Sequence, residues 1–228
     1  MKCLICNHKV KIQPASVYPF ITKRMGITET DLATCPNCGF QFYTTRPTYP
    51  QVYKFYRGYR GKKYQQQRER YEPTYTKEFN DNLDNPETVK ERVKNITRFT
   101  KGVKSVLDYG GGTGLYIPDV ENKYVYEISH NRLETGVKQW GGEPVDLVMC
   151  CHLLEHVSDP VGLVKELRLL GKVYIEVPNK KPLKPIMHEH INFFTPKSLE
   201  IMTGGKFEIV KLSSMDIICG IVDNRAMI

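Results

Sequence analysis

The run VLDYGGGTG at residues 106–114 constrains the fold more than any other stretch of this chain. A short apolar segment ends in an acidic residue, and four glycines follow within five positions. The apolar segment reads as a buried strand. Glycines just past such a strand let the backbone approach a ligand where a side chain would stand in the way. A tight turn would use them too, so the flanks decide between the two. KYVYEIS, residues 123–129, reads as a second strand, and Glu127 near its end is placed to meet ribose hydroxyls. Set between Asp108 and Glu127, the loop points to a nucleoside-bearing cofactor.

The neighbouring segments supply the rest of such a fold. DNPETVKERVKNITRF reads as a helix with Val89, Val93, Ile96 and Phe99 on one face. VDLVMCCHLL and KVYIEVPN read as buried strands, PVGLVKELRLL and PKSLEIMTG as helices, and KFEIVKLSS with IICGIVDNR as paired strands. Strands alternating with helices predict a doubly wound, mostly parallel, Rossmann-like α/β sheet. Cys150, Cys151 and Cys219 sit in apolar runs and read as small core residues.

A different chemistry marks the N-terminus. CLIC (Cys3, Cys6) and CPNC (Cys35, Cys38) are two CxxC pairs with a 28-residue spacer. Two such knuckles offer four thiolates to one tetrahedral ion, so residues 1–45 read as a small zinc-ribbon module with a closed, structural Zn2+ site. His8 lies outside the spacing and reads as a bystander. Residues 46–85 form a tyrosine- and arginine-rich helical arm, and 86–228 the sheet domain. Residues 1–85 carry 14 Lys/Arg against 7 Asp/Glu, whereas residues 86–228 carry 19 against 18, so an anionic partner would meet the first part. The arm has two readings: tyrosines packed on the next domain with charges in water, or a single-strand nucleic-acid grip. No apolar run reaches membrane-spanning length and the start lacks a signal-peptide pattern, so a cytoplasmic protein with no membrane partner is expected. In that compartment seven cysteines point to metal ligands or buried thiols.

VLDYGGGTG resembles the first motif of class I S-adenosylmethionine-dependent methyltransferases, in which an acidic residue precedes a GxGxG loop. VDLVMCCHLLEHVSDP resembles the fourth-strand motif of the same superfamily, and HEHINFFTPKSL the active-site segment of a subgroup acting on sugars and related metabolites. A four-cysteine N-terminal module also occurs in sugar C-methyltransferases of that subgroup. The resemblance implies that Asp108, Tyr109, Gly110, Gly112 and Gly114 line S-adenosylmethionine, that Glu127 binds its ribose, and that Cys151 and His152 border it. It implies that His190, beside Glu189, is the base, with His188 one side-chain repeat away. Val145 follows Glu127 by only 18 positions, so the third strand of such a sheet should be shortened or missing. Met187 stands where the C-methylating relatives have tyrosine. In an extended segment both imidazoles would face one way and the Glu189 carboxylate the other. Trp140 is expected to cover the adenine or to close the small core there, and His156 to fix a helix start.

The expected activity is methyl transfer to a small, anionic acceptor, with sugar or sugar-phosphate derivatives favoured. One rival is a nucleic-acid methyltransferase that grips its substrate with the zinc module and basic arm. The other is a non-catalytic binding protein that keeps a degenerate cofactor fold.

Overall fold

The computed structural model describes residues 1–59, 61–72, 75–76, 78, 85–129, 132–182 and 184–223. Part of the expected arm, and the end of the expected last strand, lie outside these residues.

The chain opens with β1 (Lys11–Val17), α1 (Pro19–Met25), β2 (Thr30–Thr34) and β3 (Gln41–Tyr43), followed by arm helices α2 (Tyr49–Tyr56) and α3 (Lys62–Glu69). Helix α1 begins on a proline and ends where Gly26 turns left-handed at φ 72°. Helix α4 (Pro86–Thr97) is capped by the Asn85 side chain, which accepts from the amides of Glu87 and Thr88. Then come β4 (Ser105–Tyr109), β5 (Asn122–Tyr126), β6 (Val137–Gln139), β7 (Leu147–Cys151), α5 (Pro160–Leu167) and β8 (Lys172–Pro178). The chain continues through β9 (Ile186–Met187), β10 (Asn192–Phe193), α6 (Pro196–Thr203), β11 (Lys206–Lys211) and β12 (Asp216–Val222).

Seven strands form one sheet in the order β11-β12-β8-β7-β4-β5-β6. Strands β6, β5, β4, β7 and β8 are parallel, while β12 runs antiparallel to both β8 and β11. The doubly wound sheet and the paired final strands are therefore present. Side chains alternate across it: Leu147, Met149 and Cys151 enter one core, Val148 and Cys150 the other. Both faces are covered, which is why these strands read as unbroken apolar runs. The third strand is β6, shortened to three residues. No helix separates β4 from β5; residues 110–121 are loop and turn.

Helix α4 departs from expectation. Its buried positions are Thr88, Arg92, Asn95 and Ile96, while Val89, Val93 and Phe99 are only half-buried. The helix is turned so that polar side chains point inward, because a carboxylate, Glu176, lies beneath it on β8.

The second sheet has the order β10-β3-β2-β1-β9. Three strands come from the cysteine-bearing N-terminus, and the segment 186–193 supplies a strand to each edge. Arg46 fastens this sheet to the other. It donates to the carbonyls of Ser158 at 3.0 Å and Val157 at 2.8 Å, and to Asn192 Oδ1 at 2.7 Å. Cys3, Cys35, Cys38, Phe40 and Phe42 share one core with Leu107 and Ile175 of the large sheet. The arm closes a further core, in which Phe55, Tyr64 and Tyr75 are buried with Phe20, Met187 and Ile191.

Candidate active site

Strands β4 and β7 are neighbours whose connections leave in opposite directions, and at such a switch point a crevice opens beyond the carboxyl ends of the strands. Asp108 lies near the end of β4, Glu127 just past β5, and Cys151 and His152 at the end of β7. The fold thus brings the expected cofactor residues to one edge. Gly110, Gly112 and Gly114 all have positive φ, at 78°, 61° and 82°. A Cβ on Gly112 would point into open space, where a ligand can sit. One on Gly111 would stand 2.1 Å from Asp108 Cγ, so only glycine lets the loop fold over that carboxyl. Glu127 ties the loop down, accepting from the Gly112 amide at 2.9 Å and the Ser129 amide at 2.8 Å. Each of its oxygens keeps a lone pair for a further donor. Tyr109 stacks on Tyr126 at 4.6 Å, and Trp140 meets Tyr126 edge-on while its indole donates to the Glu143 carbonyl.

Asp108 is buried, and its Oδ1 has no hydrogen-bond partner. Burial pushes its carboxyl up to about 7, against the nearby positive charge of Arg92. From here a row of buried polar groups runs across the strand ends. Arg92 holds Glu176 Oε1 at 2.8 and 2.6 Å, and Tyr174 donates to Glu176 Oε2 at 2.8 Å. Burial pushes Glu176 up, but His152 and Arg92 outweigh it and hold the carboxyl at about 2. His152 takes φ 50°, an uncommon conformation for a residue with a side chain, and its imidazole spans Glu176 and Glu155 at 3.2 and 3.3 Å. The thiols of Cys150 and Cys151 are raised by burial and stay protonated, as core residues should.

The row ends at the 188–190 segment. His190 packs edge-on against His156, with ring centroids 4.7 Å apart, and burial pulls its imidazole down to about 4. His188 stacks on Tyr18 at 4.0 Å, and its Nδ1 lies 3.3 Å from Glu189 Oε2. Glu189 is gripped by Arg68 of α3 at 2.7 and 2.9 Å. Burial works against its charge, yet His188 and Arg68 hold the carboxyl well below its usual range. A bend at Glu189 interrupts the extended backbone on which the expected alternation of faces rests. A cavity of about 420 Å³ opens here, lined by Lys184, Ile186, His188, Glu189, His190 and Phe193 among others.

The four N-terminal cysteines converge. Their Sγ atoms lie within 4.8 Å of one another, with close pairs at 3.4, 3.6 and 3.7 Å. Both knuckles are built alike. The residue after the second cysteine, Asn7 or Gly39, takes positive φ and donates its amide to the first cysteine's carbonyl. His8 stays outside, its Nδ1 near the Cys6 carbonyl.

Sequence reasoning missed Arg92, Glu176, Arg68 and Tyr56. Glu176 was marked by its charge in the middle of the apolar run KVYIEVP, since such a residue needs a buried partner. Nothing local singled out Arg68 among the arm's many cations.

Residues 64–204 match the family described as "Methyltransferase domain". No curated protein matches the chain. Among solved structures, a SAM-dependent methyltransferase from Aquifex aeolicus is similar at 17% identity and a TM-score of 0.45, over 62% of this chain and 96% of that one. Magnesium protoporphyrin IX methyltransferase from Synechocystis PCC 6803, with bound SAH, is similar at 13% identity and 0.44, over 60% and 84%. The N-terminal domain of EvdMO1, crystallised in the presence of SAH and D-fucose, is similar at 15% identity and 0.42, over 61% and 83%.

Proposed function

Because the chain belongs to the methyltransferase domain family and has the Rossmann-like sheet of the class I S-adenosylmethionine-dependent enzymes, we propose that it methylates a hydroxyl of a small anionic metabolite, with a sugar or sugar phosphate as the favoured class. The observation that carries this reading is the cavity along the 182–193 segment, which sets Lys184 next to two histidines. Lys184 offers the charge for an anionic group. In the arm, Phe55, Tyr64 and Tyr75 are buried and closed to base stacking, while Tyr49, Tyr53 and Tyr71 are exposed, so a stacking grip would have to use these three.

The residues present fit the cofactor. Asp108 offers a buried, unpartnered carboxylate oxygen, Gly112 has open space above it, and Glu127 keeps lone pairs for ribose hydroxyls. When bound, S-adenosylmethionine supplies an electrophilic methyl group on a sulfonium, a leaving group that needs no acid. The protein's share is to align the acceptor oxygen and take its proton. His188 is the assigned base rather than His190. The ionised Glu189 can only accept, so it fixes the proton of His188 on Nδ1 and leaves Nε2 with a lone pair. His190, held near 4, is a weaker base. The four cysteines fit Zn2+, because their separations approach the ~3.8 Å edge of a tetrahedron with Zn–S bonds of ~2.3 Å. With all four positions filled, that ion is structural.

Calorimetry with SAH should show binding, and Gly112→Val should abolish it by filling the space above the loop. A labelled-methyl assay across hexose phosphates, nucleotide sugars and tRNA should then find its acceptor among the sugars. His188→Ala should lower turnover by about 10²–10⁴-fold without changing SAH affinity. Methylation confined to tRNA, or near-normal turnover in the His188 variant, would sink the corresponding half of this reading.

A further inference from the structure

Glu155 has no role in methyl transfer as proposed, yet it stands out among the described residues. Its side chain is 1% exposed, and neither carboxylate oxygen has a hydrogen-bond partner. His152 Nδ1 comes within 3.3 Å of Oε1 but without the alignment of a hydrogen bond. A buried carboxylate in that state carries a large desolvation cost that something must offset.

Its other neighbours are imidazole nitrogens. One donor atom each from Glu155, His156 and His190 lies within 4.8 Å of the other two. The tautomer of His156 can be read from its surroundings. Nδ1 is 3.0 Å from the Glu189 carbonyl oxygen and 2.9 Å from the Tyr56 hydroxyl. A carbonyl can only accept, so Nδ1 carries the proton and Nε2 bears a lone pair. That Nε2 lies 3.9 Å from Glu155 Oε1, so a lone pair meets a carboxylate with no proton between them. His190 adds another donor nitrogen within the same 4.8 Å. Three donor atoms therefore converge on one point, and His152, whose Nδ1 lies 3.3 Å from Glu155 Oε1, is the neighbouring imidazole that stands outside this group.

We propose that Glu155, His156 and His190 bind a divalent first-row metal cation, separate from the ion of the cysteine cluster. Movements of about an ångström bring the three donors to the ~2.0–2.2 Å at which imidazole and carboxylate hold such an ion. Two nitrogens and one carboxylate suit zinc, manganese or iron(II) better than calcium, which takes oxygens alone. The outer support is already in place, since a ligating histidine commonly donates its second ring N–H to a carbonyl, as His156 does to Glu189. Three protein ligands leave positions open, and His190 lines the acceptor cavity. Resting on the reading of that cavity as the acceptor site, the ion would hold the acceptor's oxygens and acidify the hydroxyl whose proton His188 takes.

The test uses the full chain with its cysteine site loaded with zinc, Co2+ as the probe, and no acceptor. Titration should show one equivalent of Co2+ bound, with visible d–d bands and without the intense thiolate-to-cobalt charge-transfer band. Glu155→Gln and His190→Gln should each weaken this binding at least about tenfold while zinc content and SAH affinity stay unchanged. Should a variant misfold, the spectrum of the unaltered protein still decides, because imidazole and thiolate ligation differ in colour. No Co2+ bound beyond the cysteine site, or binding that survives both substitutions, would overturn the proposal. Neither readout depends on methyl transfer, so a failure here is distinguishable from a wrong acceptor.

Discussion

At the scale of single residues, Asp108 carries the clearest energetic consequence. Burial raises its carboxyl from the ordinary carboxylate range to about 7. Below pH ~4 the group is protonated in both the folded and unfolded states. As pH rises toward 7 the unfolded chain ionises first, so the folded state loses stability across that window. Asp108→Asn should therefore be more stable than the parent at pH 8, by up to about 4 kcal/mol for roughly three pKa units. The gain should shrink to nothing near pH 4. Urea unfolding at the two pH values measures this, and a gain independent of pH would refute the assignment. The same substitution should abolish SAH binding, the common trade of stability for function. The placement of Asp108 and Glu127 at strand ends was legible in the sequence, because the apolar runs before them mark where each strand stops. Arg92 was not, because it makes sense only opposite Glu176, 84 positions away.

Elements decide how the 188–190 segment is held. The arm helices do this from outside the large sheet: Arg68 of α3 binds Glu189, and Tyr56 of α2 reaches His156. Arg68 is itself buried, lies 3.8 Å from the Tyr75 ring centroid, and also binds Glu72 at 2.6 Å. Arg68→Ala would leave the ionised Glu189 enclosed without its partner, at a cost of about 3 kcal/mol. Removing both charges together should cost less than removing Arg68 alone, and a double-mutant cycle in urea reads the difference. Additive losses would mean that the two side chains do not act as a pair. The helical character of the arm was legible, and Tyr64 and Tyr75 pack inward as one of its two readings had it, while Tyr49, Tyr53 and Tyr71 stay exposed. The inward face of α4 was misread, since Val89 and Val93 gave the stronger apolar period while the actual face had to serve a buried carboxylate. Periodicity finds a helix reliably, but the orientation of its face depends on what lies opposite.

At the scale of the whole molecule, the two CxxC pairs pointed to four converging cysteines that could hold a metal ion, but not to where their sheet docks. The structure gives it no independent existence. Strand β9 pairs with β1 and β10 with β3, so the segment carrying His188 and His190 is stitched into both edges of the cysteine-bearing sheet. Thr195 at the cap of α6 donates to the Cys38 carbonyl at 2.7 Å, and Arg46 binds backbone on the far side of the junction. The knuckle cysteines share a core with Leu107, one residue before Asp108. Loss of the ion should therefore be felt at the cofactor edge. Trp140, the chain's single tryptophan, lies edge-on to Tyr126 of β5 in the large sheet. If the molecule unfolds as one unit, Cys35→Ser or chelation should shift the Trp140 fluorescence transition and the far-ultraviolet circular dichroism transition together, to the same lower midpoint. Two separate transitions, with that of Trp140 unmoved, would show instead that the module folds independently of the sheet that holds the cofactor.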